Sequence, residues 1–247
     1  MSDDGQLDGN SRHGTVVSAI VAATAPQTNL LVFDADVSGD GFTIDSVLAA
    51  INRVIEIKTT TQRRIVALNM SFYQPGLRWT ENCDVGDPFA VALQLVYEAY
   101  IQPVACAGND GFSDGISSPA CVTHVAGVGA VYDANVGTQE YKGVCTDQTT
   151  AADQVGCFSD SGEIMRVWAP GALITAAGRT GWGTSFASPH VAGAVAVLRG
   201  LSAYPTDPLW KTILRMTATG TNITDPRNSV TKPRLNVEAA ITQTSGW

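Results

Sequence analysis

Charged residues are scarce in this 247-residue chain, at 15% against the usual quarter, while 45% of the residues are apolar. That balance excludes a disordered, solvating polypeptide and points to one sizeable globular domain spanning residues 1–247. A domain of this length buries roughly 70% or more of its unfolded surface, so its core needs no metal or disulfide scaffold. No basic cluster exceeds Arg63-Arg64, and the net charge is −8. Nucleic acid and anionic membranes are therefore excluded as expected partners. Apolar runs such as Ala192 to Leu198 fall far short of the roughly 20 residues that span a bilayer. The opening MSDDGQLDGN has no apolar stretch and does not read as a secretory signal. The five cysteines show no C-x-x-C spacing, which argues against a zinc site or a redox motif. At least one of the five stays free or pairs between chains, and their number suits an oxidising, extracytoplasmic setting. Internal repeats, low-complexity tracts and interdomain linkers are missing as well.

What is present is an alternation of strand-like and helix-like segments, the mark of an α/β fold. Asn29 to Val37, Arg64 to Phe72, Pro103 to Ala107 and His124 to Val131 read as buried strands of a mostly parallel sheet covered on both faces. Thr43 to Ile57 and Pro88 to Ile101 carry apolar residues at helical spacing and read as crossover helices. Tyr132 to Gly162 has no clear period and is expected as a surface loop. Thr184 to Leu201 is a helix of small residues suited to close packing, followed by helices over Pro208 to Ala218 and Val237 to Thr242.

Three segments set reactive side chains where acyl transfer needs them. His13-Gly14-Thr15 opens an apolar helical run, so the imidazole is held by the fold and faces outward, as a general base requires. The ordinary alternative is a lone surface histidine. Val104 to Gly111 stops a buried strand at Gly108-Asn109, where an amide can point an N–H at a developing oxyanion; the alternative is an Asn-Asp-Gly turn. Gly183 to His190 places Ser185 at a helix N-terminus, where free N–H groups favour negative charge; the alternative is an N-cap serine. Pro189 is expected within the first turn of that helix.

Taken together and in this order, the segments resemble the catalytic domain of the subtilisin-like serine proteases, the subtilase family. The resemblance runs from about Leu7 to Ile241 and rests on H-G-T at His13, N-M-S at Asn69 to Ser71, A-G-N at Ala107 to Asn109, A-P-G at Ala169 to Gly171, and G-T-S-x-A-x-P-H-V-A-G from Gly183. It implies a three-layer α/β/α fold and a serine endopeptidase that acts through an acyl-enzyme on Ser185. His13 would be the base and Asn109 an oxyanion donor beside the backbone N–H of Ser185. Ser71, Phe72 and Tyr73 on one side, and Cys106, Ala107 and Gly108 on the other, would flank the first specificity pocket of an extended polypeptide substrate. Tyr73 stands where the family usually has glycine, so a preference for small or medium apolar side chains is expected there. The family implies a secreted, extracellular enzyme, with a propeptide in a full-length form. No redox or organic cofactor is implied, and no ligand string identifies a calcium site.

The family's catalytic aspartate ends a strand well upstream of the histidine, and only twelve residues precede His13. Asp3, Asp4 and Asp8 are too close, and Asp34 and Asp36 come in the wrong order, so no catalytic aspartate is assigned. The expectation is an N-terminally incomplete domain lacking a central strand. The competing reading is an inactive fragment or pseudoprotease that binds peptides. Arg12 and Val17 also depart from the usual pattern around the histidine, whereas His124 and His190 read as structural. We expect Cys83 to pair with Cys121 and Cys145 with Cys157, leaving Cys106 as a packed thiol, although sequence alone does not fix connectivity.

Overall fold

The computed structural model describes residues 12–36, 41–61, 63–201 and 208–242. In chain order the elements are α1 (His13–Thr24), α2 (Ile44–Thr61), β1 (Ala67–Met70), α3 (Ala90–Glu98), β2 (Gln102–Cys106), β3 (Ala126–Tyr132), β4 (Gln139–Tyr141), β5 (Cys145–Asp147), β6 (Val167–Ala172), β7 (Ile174–Ala176) and β8 (Arg179–Gly181). There follow α4 (Thr184–Gly200), α5 (Leu209–Ala218), β9 (Asn222–Thr224), β10 (Thr231–Pro233) and α6 (Val237–Thr242).

The central sheet has the order β1-β2-β3-β6 and is parallel throughout. Side chains alternate between its faces with the period of two that a pleated strand imposes. Val104, Ala126, Val128, Ala130, Val167 and Ala169 point into a core shared with α4, through Ala187, Val191, Ala194 and Val195. Ala105, Val131 and Trp168 point the other way, into a core shared with Val47, Ile51, Leu93 and Val96 of α2 and α3. Two covered faces make three layers, as the sequence implies. Ala187 and Ala194 let α4 lie close against the sheet, while Gly193 lets α1 approach its other side at Thr24.

Three expectations need correction. Asn29 to Val37 forms no strand over its described residues, which make only an isolated bridge between Asp36 and Phe42. Leu30, Leu31 and Val32 are 40%, 41% and 68% exposed. The physical reason is that no described residue fills the space beside it: a groove of about 840 Å³ lies between residues 28–33 and β1, so among the described residues no ladder of hydrogen bonds reaches across. The stretch Arg64 to Phe72 pairs only over Ala67–Met70, and β1 ends the sheet. Secondly, Tyr132 to Gly162 is not wholly a surface loop. It contains the β4–β5 hairpin, and Phe158, Ser159, Asp160 and Ser161 are fully buried. That burial is tolerated because most polar groups there find partners, Ser159 Oγ accepting the Ala130 N–H at 3.0 Å. Thirdly, Pro189 is the sixth residue of α4, beyond its first turn.

Cys83–Cys121 and Cys145–Cys157 are disulfide-bonded, and Cys106 is free and buried. Among the described residues no helix is long and apolar enough to cross a membrane.

Candidate active site

Ser185 is the second residue of α4, at the end of the helix where N–H groups have no acceptor within the helix and the dipole favours negative charge. Gly183 precedes it with φ at 141°, a backbone that side chains rarely adopt. A Cβ added at Gly183 would lie 3.0 Å from Ser185 Oγ and 3.4 Å from Asn109 Nδ2. The hydroxyl and the carboxamide, far apart in sequence, thus converge on one point that glycine leaves open.

Asn109 follows β2 by three residues and is oriented from α4. Its Oδ1 accepts the Thr184 N–H at 2.7 Å and the Thr184 hydroxyl at 2.9 Å. With the oxygen end so occupied, the NH₂ end faces the Gly183 opening. Thr184 Oγ1 also accepts the Gly108 N–H at 3.1 Å, and its single hydrogen is shared between Asn109 Oδ1 and the Gly108 carbonyl, the latter 3.1 Å away. These contacts lock the end of β2 onto the start of α4.

Pro189 has no N–H, so the carbonyl of Ser185 four residues earlier has no helical donor. Ser71 supplies one: its Oγ donates to the Ser185 carbonyl at 2.8 Å, pairs with Ser188 Oγ at 2.9 Å, and accepts the Asn69 amide at 2.9 Å. Ser71, expected in a substrate wall, is therefore a buttress of the first turn of α4. The sequence held a signal for this, since a proline inside a helix strands the carbonyl four residues before it. Sequence reasoning missed Asn69 and Thr184 as parts of the same frame.

His13 begins α1, and its ring stacks on that of Phe186, the residue after Ser185, with centroids 5.9 Å apart. Val16 and Ile20 complete the contact between the helices with Phe186. The imidazole thus stands at the Ser185 end of α4. Arg12, where the family has glycine, sits at φ 49°, the left-handed region that glycine fills without strain. Asp34 and Asp36 are exposed, while Asp3, Asp4 and Asp8 lie outside the described residues.

The walls expected around a first specificity pocket are tied together. Cys106 Sγ donates to the Phe72 carbonyl at 3.2 Å. Ser117 Oγ donates to the Gln74 carbonyl at 2.8 Å and accepts the Gln74 N–H at 3.1 Å. The Tyr73 hydroxyl reaches the Asn109 backbone; burial, then the Asp110 and Asp160 carboxylates, push its pKa up to about 12. Ala107 has spent its backbone, giving its N–H to Val128 and its carbonyl to Ser117. Cys106 to Gly108 is thus a wall of fixed shape, and burial pushes the Cys106 thiol up to about 12, inert as a nucleophile.

His190 is packed in the interior, its Nδ1 3.3 Å from Thr24 Oγ1, and burial lowers its pKa to about 4. His124 stacks on Tyr97 at 4.3 Å. The one grouping of three His, Cys, Asp or Glu ligand atoms among the described residues is Cys83, Asp87 and Cys121, whose sulfurs are bonded to each other, so no ion is assigned.

Comparison with known proteins matches residues 2–241 to the sequence model described as the subtilase family. Subtilisin-like protease 2 of Arthroderma otae is 30% identical over 205 residues, covering 78% of this chain and 42% of its own length. Subtilisin-like protease 2 of Trichophyton rubrum gives the same figures. The chain thus spans less than half the length of these relatives. Among solved structures, a lanthipeptide protease superposes with a TM-score of 0.69 at 14% identity, covering 95% of this chain and 76% of its own. A cold-adapted subtilisin-like serine proteinase gives 0.64 at 23% identity, covering 89% and 72%.

Proposed function

This chain belongs to the subtilase family, and from that premise we propose that it is the catalytic part of a serine endopeptidase that cleaves polypeptides through an acyl-enzyme on Ser185. The observation that carries the reading is the convergence of Ser185 Oγ and Asn109 Nδ2 on the opening at Gly183. In this mechanism His13 takes the proton of Ser185 as Oγ attacks the scissile carbonyl. The oxyanion is held by Asn109 Nδ2 and the Ser185 N–H at the positive end of α4, and His13 then protonates the leaving amine. Tyr73, whose hydroxyl reaches the backbone of Asn109, stands where the family usually has glycine, and this supports a preference for small or medium apolar side chains at the substrate position before the cleaved bond.

His13 needs a carboxylate partner to fix its tautomer. The groove between residues 28–33 and β1 is lined by Val17 and Val21 of α1, by Ala192 and Ala196 of α4, and by the sheet edge. We place in it an apolar strand ending in that carboxylate, pairing with β1 as an added strand does. Two disulfides and the kinship with subtilases support secretion.

The test is labelling by a fluorophosphonate probe, with Ser185→Ala as control. Labelling of Ser185 that rises when a strand peptide ending in aspartate is added supports the whole reading. A folded chain that never labels, with or without the peptide, favours the peptide-binding alternative.

A further inference from the structure

Asp160 is a fully buried carboxyl group that the mechanism above does not use. Its N–H and its carboxyl oxygen Oδ1 are both directed at the loop that carries Asn109. The Asp160 N–H donates to the Gly108 carbonyl at 3.0 Å. Its Oδ1 accepts the N–H of Asp110 at 3.1 Å and of Phe112 at 2.8 Å. Asn109 is therefore bracketed on both sides by one acidic residue. Its other oxygen, Oδ2, has no hydrogen-bond partner and lies against the α-carbon of Gly108, where a Cβ would collide with it.

Charged and titratable groups face Asp160 from every neighbouring element. Asp110 comes from the Asn109 loop, Tyr73 and Arg78 from residues 73–78, Cys106 from β2, and Arg227 from the turn between β9 and β10. Neither cation is free to neutralise it. Arg78 is paired with Asp114, and Arg227 is held by Asp225 at 2.6 Å and by the carbonyls of Cys157 and Ser159 at 2.8 and 2.7 Å.

We propose that Asp160 is a positioning residue for the oxyanion donor: as a neutral acid it pins the loop on both sides of Asn109, and its ionisation puts an unpaired negative charge behind Gly108 that opposes the oxyanion. The proposal rests on the hydrolase reading. The two N–H bonds occupy Oδ1, so the proton sits on Oδ2, the oxygen without a donor. Burial raises the pKa most; the Phe112 N–H pulls it back, the Asp110 carboxylate raises it again, and the result is about 7. Ionisation therefore falls close to neutral pH. A negative charge beside a developing oxyanion raises the barrier without a matching effect on ground-state binding.

The experiment is the pH dependence of Ser185 labelling by a fluorophosphonate, with peptide turnover where the protein turns over, in wild type, Asp160→Asn and Asp160→Ala. Wild type is expected to lose rate above about pH 7, on the alkaline side of the rise set by His13. Asp160→Asn keeps the acceptor and cannot ionise, so it keeps the acid limb and loses the alkaline one. Asp160→Ala is expected to label about ten-fold or more slowly at every pH, with KM nearly unchanged. Two readouts stand apart from chemistry. The infrared carbonyl band of a buried carboxylic acid should be present in wild type at pH 6 and missing in Asp160→Asn. Amide exchange at Asp110 and Phe112 should quicken in Asp160→Ala only. An alkaline limb that survives in Asp160→Asn, or no acid band at pH 6, overturns the proposal. Wild type that does not label, with or without the strand peptide, while band and exchange behave as expected rejects the hydrolase reading instead.

Discussion

The Thr184 N–H donates to Asn109 Oδ1 at 2.7 Å, and this bond decides which end of the carboxamide faces Ser185. An amide with its oxygen held can offer only hydrogens to the cleft. Asn109→Ala should lower turnover by about the 10²–10³-fold that the loss of this donor costs in a subtilisin, with KM little changed. Asn109→Asp keeps the acceptor for Thr184 and so should fold normally, yet it should be no more active than alanine, because it presents a carboxylate to an oxyanion. Steady-state kinetics and a melting curve on the two variants check this.

The bond from Ser71 to the stranded carbonyl of Ser185 makes a second prediction. Ser71→Ala should cost about 1–3 kcal/mol, the penalty for a buried acceptor left without a donor, read as a lower urea midpoint. Adding Pro189→Ala restores a helical N–H to that carbonyl and should recover much of the loss. A double variant no more stable than Ser71→Ala would remove the proposed link between the two residues.

The candidate site was legible to the extent that it is local. His13, Asn109 and Ser185 each sit at the end of an element whose period or breaker residues mark it in the sequence, and α6 matches its expected limits at Val237–Thr242. Contacts that join distant segments left no such mark. The Ser71 hydroxyl reads as part of a substrate wall until α4 is laid against it, and the acidic side chain of Asp160 sits in a stretch without periodicity that reads as solvent-exposed. Asn29 to Val37 fails for a different reason. Its residue types favour a strand, but a strand exists only with a partner, and composition carries no information about whether one is there.

Tyr73 should govern which side chain is accepted before the cleaved bond. Profiling with a peptide library is expected to show small residues preferred by wild type, and Tyr73→Gly should admit large aromatic ones, a gain on the order of ten-fold or more in kcat/KM. An unchanged profile would place the ring outside the substrate's path.

His190 should make stability sensitive to acid. Burial holds it neutral in the fold, with a pKa of about 4 against an ordinary 6.5, so the unfolded chain binds the extra proton first. Its contribution is full above pH 6.5 and is lost as the pH falls toward 4, a change on the order of 3 kcal/mol. Denaturant midpoints measured across that window should fall less steeply in His190→Gln than in wild type.

The outer side of β1 bears on handling the polypeptide in the laboratory. A row of backbone donors and acceptors beside the bare Leu30, Leu31 and Val32 is a template that any extended segment can lengthen, including one from an identical copy. Purification at high concentration should therefore drive this chain toward aggregates, and a lysine in place of Val32, the most exposed of the three, is the substitution most apt to keep it dispersed.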